Sequence, residues 1–161
     1  LSNTAEMYRL KGDYTFAEQL QLNAIVILIE LFGEEHKDLG ANYNNLALLY
    51  DNMGAREKSI AYYGKSIYIK EKHFGKKSVS LANSYVNLAS LLGEEGDAKA
   101  AFYYFQKGFE IDAYNIDLNF SFLSSEEKLN YLKNSEYYVD LLNTFGSENK
   151  EVLPEVTTLM Y

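Results

Sequence analysis

The run Tyr43–Gly75, YNNLALLYDNMGAREKSIAYYGKSIYIKEKHFG, reads as two helices with a stop after each. Between Leu39 and Met53 the apolar residues Tyr43, Leu46, Ala47, Leu49 and Tyr50 fall on one helical stripe. Asp38 stands ahead of it as an N-cap. Gly54 is placed to end it, because glycine reaches the left-handed conformation without a steric penalty. A second helix is expected from about Arg56 to His73, with Ile60, Tyr63, Ile67 and Phe74 as its stripe, Tyr62 and Ile69 beside it, and Gly75 closing it.

The plan recurs on either side. Gly12, Gly54 and Gly96 are 42 residues apart, as are Asn3, Asn45 and Asn87, and Ala5, Ala47 and Ala89. Gly33 pairs with Gly75, Tyr43 with Tyr85 and Leu46 with Leu88. A fixed period of this length marks a repeat array, in which each helical hairpin buries its apolar face only against its neighbours. SVSLANSYVNLASLLGEEG, with Ser78 or Ser80 as cap, and DAKAAFYYFQKGFEIDAY make the next hairpin. Ahead of the quoted run, SNTAEMYRLKG reads as the tail of a first helix and FAEQLQLNAIVILIELFG as a full second one. This gives an array over 1–114, with a partial unit at 1–33 and full units at 34–75 and 76–114.

The period breaks after about Tyr114, and Asp117 stands where a glycine would continue the Gly33–Gly75 series. Residues 115–161 read as a helical cap or linker. Ser124 and Glu127 form a capping box opening one helix up to Gly146, and a further helix starts near Asn149, with Pro154 in its first turn or kinking it.

These units resemble the tetratricopeptide repeat, in the longer form found in kinesin light chains and many bacterial proteins. Tyr43, Leu46-Ala47, Tyr50, Gly54 and Ser59 match the family pattern, as do Tyr85, Leu88-Ala89, Leu92, Gly96 and Ala101 in the next unit. Leu92 replaces the usual Tyr, and Gly108 stands where Ala is usual. The resemblance implies an all-α, right-handed solenoid with C-terminal capping helices. The tail, LNFSFLSSEEKLNYLKNSEYYVDLLNTF, resembles the stretch joining such repeats to a CHAT domain in bacterial proteins. That resemblance implies a caspase-like His/Cys domain downstream, for which these repeats would be the regulatory arm.

Composition narrows the function. The 161 residues are 47% hydrophobic, with 15 Tyr, 9 Phe and one proline, so aromatic packing in a helical array is expected. No apolar run is expected to approach the roughly 20 residues that span a bilayer, and no membrane partner is expected. There is no cysteine, which excludes disulfides, thiolate metal sites and a cysteine nucleophile from this chain, and fits a reducing, cytoplasmic setting. The net charge of −8 argues against nucleic acid, which needs a positive footprint.

The chemistry-bearing residues point the same way. His36 and His73 are lone histidines, read as structural or solvated, and no metal or other cofactor is expected. Glu34-Glu35 and Glu94-Glu95 are neighbours in sequence, so they diverge on a helix and read as solvated turn residues. Tyr62-Tyr63 and Tyr103-Tyr104 read as packing residues rather than base-stacking ones. No catalytic residues are assigned.

The resemblance places Asn3, Asn45 and Asn87 on the concave face, where amides offer a donor and an acceptor to a peptide backbone; the alternative is that they bond the next repeat and fix the stacking. By the same register Glu6, Arg9, Ala41, Asn44, Leu48, Asp51, Asn52, Asn83, Val86, Ser90 and Glu94 line or border the groove. Arg9 is its one cation, so a clamp for a C-terminal carboxylate is disfavoured and an internal or basic protein segment is expected. A third expectation is self-association through the partial first unit, with Ala5, Tyr8 and Ala17 left exposed.

Overall fold

The structure is a computed structural model that describes residues 2–119 and Ser124. The expected helices past Asn119, the Pro154 turn and the CHAT-like stretch lie outside the described residues. Among the described residues six helices follow one another: α1 (Ser2–Leu10), α2 (Tyr14–Phe32), α3 (Leu39–Asn52), α4 (Arg56–Phe74), α5 (Val79–Glu94) and α6 (Ala98–Asn119). They pair as three antiparallel hairpins, α1/α2, α3/α4 and α5/α6, stacked through α2 on α3 and α4 on α5. Helix α1 also meets α3, and α3 meets α5, whereas the second helices of the hairpins hardly touch one another. The stack therefore closes up on the α1–α3–α5 side, which is its inner face. This is an all-α solenoid.

The glycine period works as read. Gly12, Gly54 and Gly96 all have φ between 70° and 82°. At each, the glycine N–H and the next one reach back to the helix just ended: Gly54 to Asp51 O and Ala55 to Tyr50 O, with Arg9/Tyr8 and Gly93/Leu92 as the matching acceptors. Gly33 and Gly75 also end α2 and α4 at positive φ, 88° and 77°, but through one bond each, from the glycine N–H to Ile29 O and to Glu71 O. At position 117 an aspartate stands instead, and α6 runs past Tyr114 to Asn119. The N-caps differ from expectation. Asp38 and Ser78 precede α3 and α5 without a side-chain cap bond, and Ser80 lies inside α5; the Ser78 and Ser80 hydroxyls bond each other instead. Asp13 and Asp97 cap α2 and α6 through Phe16 N and Ala100 N.

The inner stripe of α3 is as expected: Leu39, Tyr43, Leu46, Ala47, Leu49 and Tyr50 are buried. Each large member contributes about 1.5–3 kcal/mol on burial. The stripe of α4 is not the one expected. Ile60 and Phe74 are exposed, and the buried set is Ser59, Tyr63, Ser66, Ile69 and Lys70. Small residues sit where helices approach closest, and their hydroxyls are satisfied by carbonyls: Ser59 Oγ donates to Ala47 O and Ser66 Oγ to Gly40 O. Tyr62 stacks on Tyr50 and Tyr85 on Tyr104, as packing tyrosines, but Tyr103 is exposed.

Two polar joints hold the stack, and they share a register. Ser2 Oγ donates to Asn42 Oδ1 between the first and second hairpins, and 42 residues on Ser84 Oγ donates to Asn44 Oδ1 between the second and third. What backs each joint differs. Gln21 Nε2 donates to both Asn42 O and Oδ1, whereas Lys70 Nζ donates to Ser80 O and Ser84 Oγ.

The loops are latched in register too. His73 Nε2 lies 2.6 Å from Glu35 O, and Asn115 Nδ2 donates to Lys77 O at 2.7 Å. His36 stacks on Phe32. Among the described residues no group of His, Cys, Asp and Glu side chains could hold a metal.

Gly108 has a specific reason. A Cβ there would meet Val86 Cγ2 at 2.8 Å and Ala82 O at 3.4 Å. Val86 is β-branched and stiff in a helix, so it cannot turn away cheaply. Gly108→Ala is expected to destabilise by about 1 kcal/mol or more, despite alanine's better helix propensity. In a double-mutant cycle by chemical denaturation, Val86→Ala combined with Gly108→Ala should cost less than the sum of the two single changes.

The first unit is more closed than expected. Ala5 and Ala17 are buried, and Tyr8 is half-buried against the core of Leu39, Tyr43 and Leu46, because α1 packs on both α2 and α3. Its exposed apolar residues are instead Met7, Leu10, Phe16, Val26, Ile27, Leu31 and Phe32. By length and composition α2 is apolar enough to cross a membrane, with mean hydropathy 1.3 over a window that is 22% buried, so the sequence does hold one such run. In the fold it is a packed helix, burying Ala17, Gln21, Ala24 and Ile25.

Candidate functional site

The inner face is set by the first helices of the hairpins. Asn3, Asn52, Asn83, Ser90, Ala41 and Glu94 are exposed on α1, α3 and α5; Asn44, Asn45, Asn87, Leu48, Val86, Glu6, Arg9 and Asp51 are half-buried. Neither the Asn45 nor the Asn87 amide takes part in a hydrogen bond among the described residues. The stacking bonds fall on other residues: Asn42, Asn44 and Ser84 carry the joints. Leu48 packs beside the buried cluster of Ala47, Tyr63, Leu88 and Leu91, and Val86 fills the space at Gly108. Both therefore spend much of their apolar surface inside the array.

The C-terminal ends of α1, α3 and α5 carry charges the spacing only half revealed. Arg9 binds Glu6 through two bonds of 2.8 and 2.7 Å, and its Nη1 reaches Asn52 in the next hairpin. The Arg9 hydrogen bond holds the Glu6 carboxyl below its usual range, and Glu6 raises the Arg9 guanidinium above its own. One repeat later Arg56 donates to Glu94 at 3.2 Å and lies 2.6 Å from Glu95. The Glu94-Glu95 pair, expected to be solvated, is thus exposed but held by one arginine. Asp51 lies 4.0 Å from Arg56. Burial, then the nearby Glu94, hold the Asp51 carboxyl above its usual range against the pull of Arg56. Beneath them lies Tyr63, fully buried, its hydroxyl without a partner among the described residues.

Arg56 was not read as a groove residue and Tyr63 was read only as packing, because both belong to α4 while the groove was read from first helices alone. The signal available was the register: position 63 recurs as Gln21 and Phe105, so a polar atom is not required by the packing there.

The arrangement offers the unbonded amides of Asn45 and Asn87 and a local carboxylate excess at Asp51, Glu94 and Glu95.

Sequence and structure comparisons agree with this geometry. The tetratricopeptide repeat family matches residues 1–72 through one model and residues 82–115 through another. A clustered mitochondria protein homolog from Emericella nidulans is 33% identical over 89 residues, covering 55% of this chain and 7% of that protein. The Homo sapiens homolog is 22% identical over 138 residues, covering 81% of this chain and 10% of its own length. The chain thus spans about a tenth or less of these curated relatives. A putative kinesin light chain from Podosopora anserina with nearly identical TPR-like repeats superposes with a TM-score of 0.65 at 18% identity, covering 93% of this chain and 74% of that one. BtubC (BKLC) from P. vanneervenii superposes with a TM-score of 0.65 at 24% identity, over 68% of this chain and 43% of that one. The sequence relatives are clustered mitochondria protein homologs, and they lend no support to the bacterial, CHAT-associated expectation for the tail.

Proposed function

We propose, because this chain belongs to the tetratricopeptide repeat family and carries repeats like those of kinesin light chains, that it holds an extended segment of another protein along the face formed by α1, α3 and α5. The observation that carries this reading is the pair of half-buried, unbonded amides of Asn45 and Asn87, one repeat apart. Neither amide is shut away from solvent, so both are free to bond an extended backbone, which supplies a donor and an acceptor to each. The local charge excess at Asp51, Glu94 and Glu95 favours a basic segment over a C-terminal carboxylate. No chemical step is assigned to these residues, and a reducing compartment such as the cytoplasm suits a chain without cysteine.

The test is direct. Against peptides selected from a displayed random dodecapeptide library, Asn45→Ala with Asn87→Ala should weaken binding about tenfold or more while leaving the helical circular dichroism signal unchanged. If the double variant instead unfolds, the two amides serve the stacking.

A second reading, self-association, draws on the exposed Val26, Ile27, Leu31 and Phe32 of α2. Light scattering across a concentration series would show a rising mass if this face pairs, and a constant monomer mass if it does not.

A further inference from the structure

Two turns of the array have one shape and opposite charge. Phe32-Gly33-Glu34-Glu35 and Phe74-Gly75-Lys76-Lys77 are 42 residues apart, and each begins at the last residue of a second helix. Both hold the glycine at positive φ. Both are fastened at the same carbonyl, Glu35 O by His73 Nε2 and Lys77 O by Asn115 Nδ2. The first latch also sets the turns side by side. His73, with Lys72 donating to Glu35 Oε2 at 2.6 Å, leads directly into Phe74. The two turns therefore stand next to each other on one edge of the stack.

The outer residues of this edge are open. Phe32 and Phe74 are 59% and 50% exposed, and Leu31 is exposed beside them. Glu34 is exposed and takes part in no ion pair or side-chain hydrogen bond among the described residues. The Lys76 side chain is 85% exposed, with Glu71 at 3.4 Å as its ion partner. Glu35 and Lys77 are the anchored members, Glu35 held by Lys72 and Tyr68, and Lys77 lying over the Tyr114 ring.

Such an edge is complementary to itself. A two-fold axis passing between the turns sets Glu34 of one copy against Lys76 of the other, and does so twice. An acidic partner would suit the second turn and be repelled by the first, and a basic partner the reverse. A second copy turned end for end suits both. The apolar area of Phe32 and Phe74 supplies the attraction, because exposed ion pairs contribute little. The charges set the orientation, since the parallel arrangement would bring like charges together. Turns already latched to their own array lose little freedom on docking.

We infer that two copies of this chain pair edge to edge and antiparallel through the turns at 32–35 and 74–77. The inference rests on the self-association reading and gives it a surface; it is independent of the groove.

Sedimentation equilibrium at low salt, across a concentration series, tests it. The parent should show a monomer–dimer equilibrium. Glu34→Lys and Lys76→Glu should each weaken it about tenfold or more, because each change places like charges together at both contacts. Both variants should keep the parent's circular dichroism spectrum, since both positions are exposed. An equal mixture of the two variants should recover the dimer, as should one chain carrying both changes. Phe74→Ser should weaken every combination. A parent dimer that both single changes leave intact would overturn the edge and leave self-association standing. Weakening by both changes without recovery in the mixture would overturn the two-fold arrangement. A monomer at every concentration would overturn the edge and the self-association reading together, leaving the groove untouched.

Discussion

Tyr63→Ala is expected to destabilise the array by about 3–5 kcal/mol, the usual loss for an aromatic truncated in a packed core. The ring is fully buried between the second hairpin and the third, beside Ala47, Leu88 and Leu91, so the void would open at the joint itself. For a chain of this length that corresponds to a drop in melting temperature on the order of 10 °C. Tyr63→Phe should move the other way. Removing a buried hydroxyl with no partner relieves its desolvation cost, and a gain of about 1 kcal/mol is expected. The array already accepts Phe105 at the equivalent place. Thermal and urea denaturation of both variants checks the pair; equal losses in the two would mean that the hydroxyl is satisfied in solution.

Lys70 is expected to make stability rise on the alkaline side. Its ammonium is buried, it donates to Ser80 O and Ser84 Oγ, and none of the ion pairs among the described residues includes it. Burial brings its pKa down from 10.5 to about 8. The folded state therefore holds fewer protons than the unfolded chain between these two values, and stability grows as pH rises through that window. The full shift corresponds to about 3 kcal/mol.

The tyrosines act with the opposite sign. Burial raises the folded pKa of Tyr43, Tyr50, Tyr63 and Tyr85 above 10, so the unfolded chain loses those protons first and stability falls above about pH 10. A maximum at about pH 9–10 follows. Lys70→Met should abolish the rise and be the more stable protein at pH 7. Urea midpoints from pH 7 to 10 would show it; an unchanged slope in Lys70→Met would assign the rise to other groups.

The fold was legible because the same contacts recur every 42 residues. Leu46 and Leu88, or Gly54 and Gly96, repeat because each meets the same neighbour in each hairpin. The α4 stripe was misread because Ser59 and Ser66 count as polar in sequence, yet the helices are closest there and each hydroxyl finds a carbonyl. Lys70 was invisible for a related reason: Leu28 and Asp112 occupy its register, so no pattern announces a buried lysine.

Of the proposed groove, the sequence could place Asn45 and Asn87 on the first helices of their hairpins, α3 and α5. Whether their amides were already spent depended on Asn42, Asn44 and Ser84, whose bonds cross between hairpins. The grouping of Arg56 with Glu94 and Glu95 joins residues nearly one repeat apart, which no local motif displays.

The two joints have consequences for how the molecule comes apart. In a stacked array stability is close to a sum of unit and interface terms, so the weakest interface decides where opening starts. One interface is closed by the neutral amide of Gln21; the other carries the buried charge of Lys70 below about pH 8. The third hairpin should then exchange its amide hydrogens ahead of the first two, which open together as one block. At mildly alkaline pH that ordering should fade, making the array a graded clasp whose release point is chosen by a single proton.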